Sequence, residues 1–291
     1  MILHSLLKIL SFYIYADDTN AIISHSNYND LIRIVNDELK NISVWFKANK
    51  LSLNIKKTNY VIFKNRQSNR VYDDDIDISI DGVQIDKVSC TKFLGIIIDE
   101  SLTWNDHNTY VTNIVSKYSG ILFRLKKFLP CKTLFALYQT LVLPHLHNCN
   151  IIWSDPNNCN LNSILVKQKR IVRLCTDSAW LAHTPPLFSQ LKTLTISDIH
   201  KLHVALFMYN FNANKLPSIF SNYFVKNADI HTYPTRSSNL LRPAAFNYDL
   251  AQNTIRRQGP ILWNSVPDNC KMALSPKSFK RQYKHHLISS Y

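Results

Sequence analysis

Two adjacent carboxylates, Asp17 and Asp18, sit inside the apolar stretch SFYIYADDTNAII, residues 11–23. Two such charges about 4 Å apart repel by roughly 4 kcal/mol at an effective dielectric near 20. A divalent cation removes that repulsion. Mg²⁺ is a hard ion that takes oxygen ligands and is held by one or two carboxylates together with substrate phosphates. Bound between these aspartates, it would stabilise the charge that develops in phosphoryl transfer. The competing reading is a solvated turn whose aspartates bond to local backbone.

The elements that must position the pair follow from periodicity. Residues 9–15 suit a strand and residues 21–23 suit its partner, so residues 16–20 read as the turn of a hairpin. From residue 27 to residue 50 the period changes to three and four: Leu31, Ile34, Leu39, Ile42 and Trp45 mark an amphipathic helix, with Ser26 or Asn27 as its N-cap. The alternation of Leu51, Leu53 and Ile55, then residues 60–63, reads as strand. Residues 65–77 read as a polar surface loop. DISIDGVQID reads as a hairpin around Asp81-Gly82, and TKFLGIIID as a further strand. After Trp104 the texture becomes helical. One helix carries Val111, Ile114, Tyr118 and Leu122 and is closed by Pro130; a second carries Leu134, Leu137 and Leu141 and is closed by Pro144. Two more cover residues 160–176 and 196–213. The last part, from residue 214, has loop signals at Pro217, Pro234, Pro243, Gly259-Pro260 and Pro267.

Composition narrows the function classes. The chain has 291 residues, of which 46% are apolar and 19% charged, a globular balance. Four glycines, with no GxGxxG and no GxxxxGK[ST], argue against a glycine-rich phosphate loop. The net charge is +14, which favours a polyanionic partner, nucleic acid above all. The alternative on charge alone is a bland solvated basic surface. The basic residues, notably at 117–127, 167–173, 256–257 and 277–284, are spread through the chain and read as a folded groove or several faces rather than a floppy basic arm. The six cysteines form no CxxC pair and read as free thiols of a reducing compartment. No uninterrupted apolar run is long enough for a membrane span.

The segment FYIYADDTNAII resembles the aromatic-Ala-Asp-Asp signature of reverse transcriptases, those of non-LTR retrotransposons in particular. WFKANKLSLNIKKTNYVIF resembles that family's Asn-x-x-Lys-Thr segment. TKFLGIIIDESLTWNDH resembles its Phe-Leu-Gly primer grip followed by a Trp and a His. LYQTLVLPHLHNCNIIW, LAHTPPLF and GPILWNSVP resemble the helical and terminal regions of jockey and chicken-repeat elements. The resemblance implies an α+β chain: a partial polymerase palm over residues 1–100, a helical thumb over 101–213 and a mixed C-terminal region over 214–291. It implies Mg²⁺-dependent nucleotidyl transfer onto a DNA primer along an RNA template, with nucleoside triphosphates as substrates of the complete enzyme. Asp17 takes the place of the metal-binding carboxylate and Asp18 that of its neighbour. Tyr15 takes that of the aromatic near the primer end, and Phe93, Leu94 and Gly95 that of the primer grip. Lys57 takes the place of the lysine that stabilises or protonates departing pyrophosphate, against a plain surface lysine. Gly95 could let a nucleic-acid backbone approach closely, or simply mark a bulge.

The family also needs fingers and a third carboxylate on an earlier strand, and Asp99 does not fit that role. Sixteen residues precede Asp17. The expectation is therefore the C-terminal part of a reverse transcriptase, inactive alone, with a non-catalytic module that binds RNA or RNA–DNA hybrid as the alternative. Lys117, Arg124, Lys126 and Lys127 are the expected phosphate contacts of the thumb. Tyr118, Phe123 and Phe128 read as core at helical spacing, against stacking on bases. His145, His147, Cys149 and Cys159 lack zinc-ligand spacing. His200 and His203 share a helix face and read as surface or capping residues. His285 and His286 read as solvent-facing.

Overall fold

The computed structural model describes residues 11–15, 18–63, 77–154, 161–230, 238–246 and 254–291. It is an α+β chain of two compact units. One comprises residues up to 93 together with 97–102; the other comprises 94–96 and 103–291.

In the first unit, β1 (Ser11–Tyr15) and β2 (Asp18–Ile22) pair antiparallel, with Ser11 opposite Ile22 and Tyr15 opposite Asp18. Asp18, Thr19 and Asn20 belong to the ladder, where the sequence suggested turn. Ala16 and Asp17, which join the strands, lie outside the described residues. Helix α1 (Tyr28–Ala48) starts at Asn27, whose side chain accepts from the N–H groups of Asn29 and Asp30. Its Ile42, with Leu39, Trp45 and Phe46 around it, covers Phe12 of β1.

The same helix anchors the hairpin β4 (Ser79–Ile80) and β5 (Val83–Gln84). The Asn36 amide donates to the carbonyl of Asp77 at 2.8 Å, and Ser43 Oγ donates to both Asp81 oxygens at 2.8 Å. Lys47 pairs with Asp81 at 2.8 Å, and these partners hold the Asp81 carboxyl below its usual range. Asp81-Gly82 turns through φ 53° and 78°, the mirror-image turn that an Asp-Gly pair favours. Ile78, Ile80 and Ile85 are buried beneath α1; each contributes about 1.5–3 kcal/mol. Residues 51–63 are less regular than their alternation implied. Ile55–Lys57 forms a 3₁₀ turn, and only β3 (Asn59–Tyr60) pairs, in parallel with β6 (Asp86–Lys87).

TKFLGIIID is a hairpin, not one strand: β7 (Cys90–Phe93) and β8 (Ile96–Asp99) pair across Leu94-Gly95. Both turn residues have positive φ, 46° and 86°.

The second unit is helical: α2 (Asn105–Leu125), α3 (Cys131–Leu141), α4 (Leu143–His147), α5 (Asn150–Trp153), α6 (Leu161–Cys175), α7 (Pro185–Gln190), α8 (Ile196–Asn212), α9 (Ile255–Ser265), α10 (Asp268–Lys271) and α11 (Pro276–Ile288). Pro144 opens α4, where a proline at the first positions costs no ladder bond. One core joins Val115, Leu122, Tyr138, Ile164, Ile171, Ile199 and Phe279. The buried Gln168 bridges it. Its amide donates to Tyr138 Oη (2.8 Å) and the Leu194 carbonyl (2.9 Å), and its oxygen accepts from the Ile196 N–H (2.9 Å). Gly259-Pro260 is not a loop. It lies buried inside α9, where Gly259 lets the helix press against Met208 of α8.

Candidate functional site

Asp18 is exposed at the closed end of the β1–β2 hairpin, opposite Tyr15. Tyr15 is 65% exposed, and Tyr13, Ile14 and Ile22 are exposed with it. The strands read as buried from sequence; only Phe12 is, because among the described residues β1 and β2 pair only with each other and one side chain reaches α1. Lys57 ends an exposed 3₁₀ turn whose backbone closes on Asn54. Among the described residues no three His, Cys, Asp or Glu side chains converge as a metal cluster. Asp99 is buried at the end of β8, where its carboxylate accepts from the Ser101 N–H at 3.0 Å. That carboxylate is spent on a turn.

The Phe-Leu-Gly segment places Phe93 half-buried on β7 and leaves Leu94 42% exposed in left-handed backbone. Gly95, at φ 86°, also faces Asn148, which belongs to the same unit: an added Cβ would lie 3.3 Å from its Nδ2. The Trp and His that follow are structural. Trp104 packs against the core, and His107, 2% exposed, stands edge-on to Trp153 at 4.9 Å. Burial pushes His107 down to about 4.

Helix α2 carries the expected phosphate contacts. Lys117, Arg124 and Lys127 are exposed; Lys126 is engaged by Asp177 at 2.6 Å. Lys117, Gly120 and Arg124 fall on one face by helical spacing. A Cβ on Gly120 would meet nothing within 4 Å, so that face is open and smooth between two cations. Tyr118 is half-buried and stacks on His145, but Phe123 and Phe128 are 54% and 80% exposed, against the core reading. They lie off the stripe of Val111, Val115 and Leu122 that meets the other helices.

The four basic stretches singled out in the sequence all fall in the helical unit. Residues 103–291 hold 22 Lys and Arg against 7 Asp and no Glu, so the whole positive excess lies in the helical unit.

Of the histidines of α4 and α8, His200 is buried and His145, His147 and His203 are half-buried, so none is a plain surface group. His147 Nδ1 and His203 Nε2 lie 2.8 Å apart, and Ser154 Oγ lies 3.1 Å from His200 Nδ1. One proton fits between His147 and His203. Burial pushes both imidazoles down to about 4, helped by Lys280 and Lys284 at His147 and by His147, Lys280 and His200 at His203. His285 and His286 are exposed, and Cys159 lies outside the described residues. Sequence spacing gave no signal for the His147–His203 contact, since the two stand on separate helices.

No protein-family model and no solved structure matches the chain. Curated proteins do. It is 26% identical over 202 residues to the probable RNA-directed DNA polymerase from transposon BS of Drosophila melanogaster, covering 66% of this chain and 21% of that protein. It is 25% identical over 190 residues to the corresponding protein of transposon X-element of the same fly (63% of this chain, 20% of that protein). The RNA-directed DNA polymerase from mobile element jockey of that fly is 24% identical over 225 residues (75% of this chain, 24% of that protein). This chain is similar to the reverse transcriptases of non-LTR retrotransposons. It spans about a fifth to a quarter of the length of these relatives. Several of the motifs named in the sequence serve the fold of this reverse-transcriptase relative. In LYQTLVLPHLHNCNIIW, the Asn150 amide donates to the Leu146 carbonyl and the Trp153 indole to that of Asn148, both at 2.8 Å. In GPILWNSVP, Asn264 exchanges two hydrogen bonds with the backbone of Leu241. Among the described residues no helix is long and apolar enough to cross a membrane.

Proposed function

We propose that this chain works as part of an RNA-directed DNA polymerase. The first unit is palm, with the Asp17–Asp18 hairpin at the primer end, and the Phe93-Leu94-Gly95 turn is the primer grip. The basic helical unit is thumb and C-terminal region, holding the RNA–DNA duplex. The observation that carries the reading is the exposed Asp18 at the closed end of a tight hairpin, with an exposed tyrosine opposite it. A solvent-facing carboxylate is the oxygen donor a hard cation takes, so this end of the hairpin fits Mg²⁺, held by Asp17 and Asp18. The ion, when bound, neutralises charge at the transferring phosphate. Tyr15 supports the primer end, Lys57 supplies a cation for the departing pyrophosphate, and Leu94 and Gly95 bring backbone close to the primer.

The open face of α2 supports the duplex contact: Lys117 and Arg124 bracket Gly120, where a sugar–phosphate backbone can approach without meeting a side chain. The exposed face of Tyr13, Ile14, Tyr15 and Ile22 supports a place within a larger polymerase, whose other palm elements it would pack against. On this reading the 291 residues, which span about a fifth to a quarter of their relatives' length, bind primer and template and do not extend the primer alone. Primer extension on an RNA template with Mg²⁺ tests this. No extension by the isolated chain, with measurable binding of the hybrid, is expected. Robust extension lost in Asp17→Asn would uphold the site and overturn the need for further parts. Extension untouched by Asp17→Asn would overturn the site.

A further inference from the structure

We propose that the helical unit carries a second nucleic-acid surface, a stacking platform for unpaired bases built from Phe123, Arg170 and Trp180. It rests on the reading of this unit as a nucleic-acid binder. It lies on different residues from the Lys117–Arg124 face and takes a different form of the polymer.

Arg170 of α6 lies between two rings: its guanidinium carbon is 5.8 Å from the centroid of Phe123 on α2 and 5.1 Å from that of Trp180, beyond the end of α6. Phe123 is 54% exposed and Trp180 64% exposed, so each shows solvent a ring face or edge that no core uses. Among the described residues the guanidinium makes no ion pair, and its Nε is buried without a hydrogen-bond partner. Cation–π contact with two rings holds the plane of Arg170 and leaves its positive charge uncompensated.

The surroundings are fixed. Arg173 Nε donates to the Ala182 carbonyl at 2.9 Å, which pins the loop that carries Trp180. Lys126 holds Asp177, the acidic residue of this segment, at 2.6 Å. What remains is two rings, one flat unpaired cation and a unit with a large basic excess.

Charge complementarity selects the occupant. The patch needs a polyanion with exposed flat faces, and a single strand of nucleic acid supplies both at each nucleotide. A duplex hides its bases in its own stack and offers these rings only its backbone. An acidic peptide offers charge without a face for each ring, and a lipid surface gives no preference between single and double strands. The platform therefore fits a template segment that is not paired.

The test uses the full chain and two labelled probes in fluorescence anisotropy, a mixed-sequence 12-nucleotide RNA and an RNA–DNA hybrid. Trp180→Ala is expected to weaken the single strand by about 5- to 100-fold, the range of one stacked base, and the hybrid by less than about threefold. Trp180→Phe keeps a ring and is expected to retain most of the affinity. Arg170→Lys keeps the charge and loses the planar stack, and is expected to weaken the single strand alone. Trp180 is exposed and Arg170 half-buried, so an unchanged melting midpoint is required of each variant to verify the fold. Equal loss for both probes, or no loss in Trp180→Ala and Arg170→Lys, overturns the platform while the thumb reading stands. Failure of the wild-type chain to bind either probe overturns both. Tight binding of anionic vesicles or of a poly-glutamate peptide, abolished by Trp180→Ala, with no effect on RNA, overturns the choice of occupant.

Discussion

Leu94 gives the sharpest test of the Phe-Leu-Gly segment. It is an apolar residue at φ 46°, with Gly95 at 86° behind it, in a two-residue turn between β7 and β8. Left-handed backbone costs an ordinary L-residue roughly 1–2 kcal/mol, and asparagine much less. Asn-Gly is the pair such a turn favours. Leucine is thus the wrong residue for the turn, and its side chain is only partly covered, at 42% exposure. Replacing it removes both the strain and the side chain, so the comparison must separate the two. Leu94→Ala deletes the side chain and keeps the strain; Leu94→Asn deletes the side chain and relieves it. The asparagine variant should be more stable than the alanine variant by about 1 kcal/mol, or roughly 2–4 °C in melting midpoint for a unit of this size. The same pair at Ala136, exposed in α3, supplies the control: helix propensity there should put asparagine below alanine by about 0.7 kcal/mol. Scanning calorimetry with urea titration reads both. If the apolar side chain touches the primer, both Leu94 variants also weaken hybrid binding by a similar factor. Asparagine equal to or below alanine at position 94 would refute the strained-turn account.

Other expectations follow from the same geometry. Gly120→Ala should stabilise α2 by up to about 1 kcal/mol, since its Cβ meets nothing, and should weaken hybrid binding; the paired readout is melting midpoint and anisotropy. Gly259→Ala should go the other way. Its Cβ would stand 2.7 Å from Met208 Sδ in a buried site, and overpacking of about 1–3 kcal/mol outweighs the propensity gain, seen as a lower urea midpoint. Acid should loosen the helical unit. His147 and His203 are depressed to about 4 from the ordinary 6.5, so the unfolded chain binds more protons between those values and stability falls as pH drops from 6.5 to 4. His203→Gln should flatten that part of the stability–pH curve, and an unchanged curve would contradict the assignment.

Much of the fold was legible because it follows from period. Leu31 to Trp45, Val111 to Leu122 and the core-facing residues of α6 and α8 all repeat at helical spacing, and burial lies where that repeat points. Asp81-Gly82 was legible as a turn because the residue types match the backbone it needs. Leu94-Gly95 was not, because a leucine inside an apolar run gives no sign of left-handed backbone. Gly259-Pro260 misled for the opposite reason: proline signals a break, yet burial against α8 offsets the ladder bond it forfeits. Phe123 sat close enough to helical spacing to read as core, and only its neighbours on α6 and beyond show that it faces Arg170. The carboxylate pair was singled out by residue type. Its geometry was half legible: Asp18 is in the ladder, and Asp17 lies outside the described residues.

The account's central claim is that the basic helical unit holds an RNA–DNA duplex along the Lys117–Arg124 face of α2. The direct measurement is anisotropy of a labelled RNA–DNA hybrid titrated with the chain from 50 to about 300 mM KCl, for wild type and for Lys117→Ala with Arg124→Ala together. The account predicts affinity that falls steeply with salt, and a log–log slope shallower by about 2 in the double variant. Binding that ignores salt, or a slope the double variant leaves unchanged, contradicts it.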